Sequence, residues 1–124
     1  MIALVLLLAV TPPQLRLARD SSVASVEVFV LSGKTRAGAA LSCAELPRDW
    51  LTSRADVIVR FRQTSAVAPL TLEKIPELKA AVLVVDGYAQ ADALGPRTAY
   101  GCRDNVSFSA GKTLTLDLAL QSAF

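Results

Sequence analysis

The sequence has no histidine, and only two cysteines and one tryptophan among 124 residues. Without histidine there is no Ser-His-Asp triad, no Cys–His nucleophile pair and no imidazole metal ligand, and the commonest general base is missing. Two cysteines alone fall short of the four nitrogen or sulfur ligands of a structural zinc site. Charge of one sign is also scarce. Thirteen basic residues face eleven acidic ones, for a formal net charge of +2. No Lys/Arg cluster appears along the chain, which argues against a nucleic-acid partner. The longest apolar run is Ile2–Val10, well short of the ~20 residues a membrane-spanning helix needs. Long helical periodicities are absent after residue 21.

What is present suits one domain. The chain is 52% apolar and 19% charged, so it is globular rather than disordered. The run Ile2–Val10 has the length of a secretory h-region, although no Lys or Arg precedes it and Thr11-Pro12-Pro13 follows. The expectation is a signal-like segment and linker over 1–21 and a single domain over 22–124, in a secreted, periplasmic or cell-envelope protein. The alternative is that Ile2–Val10 is a buried strand. The first cysteine is Cys43, so anchoring by lipid is not expected, and membrane contact is expected only through an uncleaved N-terminal segment, if at all.

From Ser22 the pattern is that of strands. Val26, Val28 and Val30 alternate with Glu27, Phe29 and Leu31, and Ser32-Gly33-Lys34 ends the run. Val57, Val59 and Phe61 alternate with Ile58, Arg60 and Arg62, which predicts an apolar face and an arginine-bearing face. Leu70 and Leu72 start a short run. Ala80–Val85 is continuously apolar and closed by the turn pair Asp86-Gly87. Val106 and Phe108 alternate with Asn105 and Ser107 before the turn Ala110-Gly111-Lys112. Leu114, Leu116, Leu118 and Leu120 alternate strictly with Thr113, Thr115, Asp117 and Ala119. Short helical turns are expected only at 46–54, around Trp50, and at 89–94. Pro12–Asp20 reads as linker. Short strands separated by Gly, Pro and Asp turns predict an all-β antiparallel sandwich, Ig-like or prealbumin-like, of about seven strands.

Cys43 and Cys102 are 59 positions apart. In an exported protein an even cysteine count suggests a bridge. Two buried free thiols and a metal pair are the rival readings.

The run Leu41-Ser42-Cys43-Ala44-Glu45-Leu46, the segment ending at Ile75-Pro76, the strand Ala81–Val85 with Asp86-Gly87, and the ending Tyr100-Gly101-Cys102, Val106, Ala110-Gly111-Lys112 and the leucine strand together resemble the transthyretin-like, carboxypeptidase-regulatory-like β-sandwich domains of bacterial exported proteins. The resemblance covers residues 22–121. Glu77-Leu78 stands where that pattern prefers glycine after Pro76. The resemblance implies a sandwich fold and an extracytoplasmic setting, and no catalytic residues.

Other motifs are weaker. Gly33-Lys34-Thr35 and Gly111-Lys112-Thr113 lack the upstream glycine and following helix of a phosphate loop. The stretch Asp86–Asp92 is too poor in oxygen ligands for a calcium loop. Asn105-Val106-Ser107 is formally a glycosylation sequon. Glu73, Glu77, Asp86 and Asp92 are the carboxylate candidates for a hydrolase, and all sit beside turn residues, where solvated loop acids are expected. Arg60 and Arg62 read as edge-strand charges or a contact patch.

The functional expectation is therefore a non-catalytic exported or envelope module that is structural or binds a protein partner. No cofactor, metal or catalytic residue is assigned. The first alternative is a carbohydrate-binding module that uses Trp50 and Tyr88 as exposed platforms for a glycan. The second is a carboxylate-dependent hydrolase.

Overall fold

A computed structural model describes residues 14–17, 23–46, 55–66, 70–72, 75–111, 113–116 and 121–122. Among the described residues the strands are β1 (Gln14–Leu17), β2 (Ser25–Leu31), β3 (Val59–Ala66), β4 (Leu70–Leu72), β5 (Leu78–Tyr88), β6 (Arg97–Phe108), β7 (Thr113–Leu116) and β8 (Gln121–Ser122). Among the described residues the only helical elements are 3-10 turns at Cys43–Glu45 and Ala91–Ala93. The expected all-β class holds.

Four long strands form an antiparallel sheet in the order β3-β2-β5-β6, and the two-residue β8 adds to the β6 edge. Strands β4, β1 and β7 pair with one another, with β1 antiparallel to β4 and parallel to β7. Strand β1 lies in the stretch read as linker. Its Leu15 and Leu17 alternate with Gln14 and Arg16, a period-2 pattern too short to stand out in the sequence.

Strand β2 is central, and all seven of its residues are buried. Its two faces feed two cores. Val26, Val28 and Val30 join Leu83, Val85, Val106 and Phe108 on the first face, where Leu114 of β7 packs against them. Phe29 and Leu31 join Val82, Val84 and Tyr100 on the second face. That face is covered in part by the β2–β3 connection, which contributes Leu41, Leu46 and Val57. Alternation along β2 thus separates two apolar surfaces rather than a wet and a dry one.

Two sequence expectations are corrected. Val57, Val59 and Phe61 do not share a face. The β2–β3 register slips between Val30 and Leu31, so that Leu31 opposes Val59 while Val30 opposes Phe61. The extra residue, Arg60, forms a bulge. Val57 therefore joins the second core, Phe61 packs on the first, and Val59 is left 43% exposed. Asp86-Gly87 is not a turn but lies inside β5, where Glu27 opposes Asp86 and Val26 opposes Gly87. A Cβ at Gly87 would lie 2.7 Å from Val23 Cγ1, so close packing, not chain reversal, explains this glycine. The chain reverses at 89–96 instead, through Asp92 (φ 62°), Ala93 (φ 58°) and Gly95 (φ 73°). The helical turn expected at 46–54 lies outside the described residues apart from Leu46, and a separate 3-10 turn precedes it at Cys43–Glu45. Leu46 itself is extended, and Trp50 lies outside the described residues.

Bulges also shape the β5–β6 hairpin. Ala80 (φ 53°) and Asn105 (φ 54°) take left-handed conformations where the register shifts, conformations that asparagine tolerates better than most residues. Gly33 passes so close to the carbonyl oxygen of Ala80 that no Cβ could be accommodated there without movement.

Candidate functional site

The Cys43–Cys102 disulfide is formed, with its Cα atoms 5.8 Å apart and 59 positions between them. It ties the first 3-10 turn to β6, and the Cys43 backbone N–H donates to Asp104 Oδ1 at 3.0 Å beside it. Both cysteines pack against the second core. Their sulfurs and an Asp104 carboxylate oxygen lie within 4.8 Å of one another. Both sulfurs are committed to the disulfide, so this cluster is not a metal site. The free-thiol and metal-pair readings are thereby set aside.

Further along the same face the apolar core gives way to charge. Thr64, Glu27, Asp86 and Tyr100 oppose one another across β3, β2, β5 and β6. Two acids thus stand directly opposite on the two central strands, a placement that repels unless it is neutralised. Arginines reach this row from its two ends. Arg62 Nε donates to Glu27 Oε2 at 2.8 Å, with its guanidinium 5.0 Å from the centre of the Phe29 ring. Arg97 donates to Asp86 Oδ1 at 2.9 Å, with its guanidinium 5.8 Å from the centre of the Tyr100 ring. Arg62 and Glu27 side chains are 56% and 9% exposed, and the Asp86 side chain is 1% exposed.

The electrostatics follow from this geometry. Burial pushes the Asp86 carboxyl above the ordinary aspartate range, Arg97 opposes the rise, and Glu27 adds to it. The hydrogen bond to Glu27 raises Arg62. Burial raises the Tyr88 phenol, with Asp86 and Glu27 adding to the rise. Tyr88 is half-buried in β5, not exposed after a turn as the sequence suggests. Ser25, fully buried, closes this end. Its hydroxyl donates to the Gln90 carbonyl at 2.6 Å and accepts the Ala93 N–H at 2.9 Å, which pins the 89–96 loop.

The carboxylate candidates separate. Glu77 and Asp92 are exposed as expected, and Glu73 lies outside the described residues. Asp86 is corrected from a loop acid to a buried strand acid. Glu27, a lone acid in an otherwise apolar run, stands opposite it; that isolated charge is the one sequence signal of the pair. The two acids stand opposite each other in the sheet, but both are buried and each is bound by an arginine. Of the aromatic candidates, Tyr88 lies on the same face beyond the charged row, opposite Ser25, and Trp50 lies outside the described residues. Arg60 and Arg62 sit on β3, at one end of the four-stranded order, as edge-strand charges would.

One consequence is testable. A carboxyl whose folded pKa is raised costs stability once it ionises, so its contribution is favourable at acid pH and lost as pH rises through the folded value. Asp86→Asn keeps an acceptor for Arg97 and removes the charge. The variant is expected to match or exceed the parent's melting temperature at neutral pH, with any advantage vanishing below the ordinary aspartate pKa of about 3.9. A variant less stable at neutral pH, with a deficit that shrinks on acidification, would show that the Arg97 pair outweighs burial.

No family model matches the chain, and neither the curated proteins nor the solved structures contain a match.

Proposed function

We propose that the protein is a non-catalytic module of the cell envelope or secreted space, built as a β-sandwich and acting through surface contact with a protein or glycan partner. The observation that carries this reading is the Cys43–Cys102 bond, because disulfides persist in oxidising compartments and are rare where thiols are kept reduced. The apolar run Ile2–Val10 supports the same compartment. Packing of Leu114 against the first core supports a second layer made by β4, β1 and β7, in line with the resemblance to transthyretin-like exported domains. The burial and pairing of Glu27 and Asp86 favour a binding or structural role over a carboxylate hydrolase.

Fractionation of the native host tests the reading. Immunodetection in the envelope fraction or the medium is the expected result. Confinement to the cytoplasm would overturn it.

A further inference from the structure

We propose that Arg62, Thr64 and Tyr88 form a binding strip for a carboxylate-bearing glycan on the charged half of the second sheet face. This assignment rests on the reading of the protein as an extracytoplasmic binding module and names its ligand class.

The geometry that supports it is the way Arg62 is held. Its guanidinium lies near the Phe29 ring, and Nε–H is committed to Glu27, which sits beneath it. A guanidinium fixed through Nε keeps its terminal nitrogens for a second acceptor, and a fork of parallel N–H groups suits a carboxylate. The side chain is nevertheless 56% exposed. Glu27 acts here as a positioning residue: it is too buried to meet a ligand, but it sets the arginine's direction and reduces the rotamer entropy lost on binding.

Thr64 and Tyr88 follow this donor along the sheet: Arg62 opposes Phe29, Thr64 opposes Glu27, and Tyr88 opposes Ser25. Thr64 is exposed, and its hydroxyl lies 3.4 Å from the same Glu27 oxygen. Tyr88 lies on the same face, opposite Ser25, and is half-buried. Its side chain combines an apolar ring with a polar tip. A uronic acid residue offers a partner to each: a carboxylate to Arg62, hydroxyls to Thr64 and an apolar ring face to Tyr88. The strip ends at the 89–96 loop, whose 3-10 turn packs against β2 and β3 and is pinned by Ser25.

Calorimetric titration of the full, oxidised chain with hexagalacturonate, neutral cellohexaose and oligoglutamate tests the proposal. The expected result is binding of the uronate alone, weakened about tenfold or more in Arg62→Gln and partly retained in Arg62→Lys, which keeps the charge but not the fork. Melting curves establish that both variants are folded. If only one folds, the comparison with the parent is made on that variant. The assignment is overturned if hexagalacturonate does not bind, if cellohexaose or oligoglutamate binds equally well, or if a folded Arg62→Gln binds like the parent. An envelope protein that fails these titrations loses the glycan assignment alone. A cytoplasmic location removes the module reading itself.

Discussion

Replacing Cys43 and Cys102 together by serine is expected to lower the free energy of unfolding by about 4 kcal/mol. The bond closes a chain separation of 59 residues, and a cross-link of that span removes much of the freedom of the unfolded chain. The loss is large beside the ~5–15 kcal/mol that holds a typical domain. The folded state feels it too. The first 3-10 turn has no buried residue of its own, and the connection that carries it covers Phe29, Leu31, Val82 and Val84 through Leu41, Leu46 and Val57. Without the covalent tie, those contacts and a few backbone hydrogen bonds hold the connection, among them Ser32 N–H to Ile58 O and Leu41 N–H to Gly33 O, each 2.9 Å. Urea unfolding of parent and double variant, both without reductant, measures the difference. A loss below about 1 kcal/mol would mean that the unfolded chain is already restricted or that the bond strains the fold.

Phe29→Ala carries the second large effect, an expected loss of about 3–5 kcal/mol. Phe29 is fully buried on β2. It opposes Arg62 on one side and Val84 on the other, so truncation leaves a cavity in a rigid sheet and withdraws the ring near the Arg62 guanidinium. Leu94→Ala is the control. Leu94 is among the most exposed large apolar side chains of the described residues, and its truncation should change stability by no more than about 0.5 kcal/mol. The same urea series measures both. Equal effects from the two variants would contradict the placement of Phe29 in a second core.

The second core explains why some of the fold was legible in the sequence and some was not. Period-2 alternation places Val26, Val28 and Val30 together, and they do form one face of β2. The pattern also puts Phe29 and Leu31 on the other face. It has no means of showing that a distant connection folds over them, since burial by long-range packing leaves no local trace. Bulges erase the pattern further. At Arg60 one extra residue sends Val59 and Phe61 to opposite faces, and no residue type signals this in advance. Asp86-Gly87 misled for a related reason. The pair is a strong turn signal by type, but here the aspartate is bound by Arg97 and the glycine relieves crowding against Val23. The cysteine pair was legible because each half had one possible partner. The charged row was not, because Glu27, Arg62, Asp86 and Arg97 come from four separate strands and meet only through the sheet register.

The central claim is that Cys43 and Cys102 are joined in the protein as the cell makes it. Intact mass spectrometry of protein from the native host, alkylated under denaturing conditions before and after reduction, tests it directly. The account predicts two added alkyl groups after reduction and none before. Alkylation of both thiols before reduction would contradict it, and with it the envelope reading that rests on the bond.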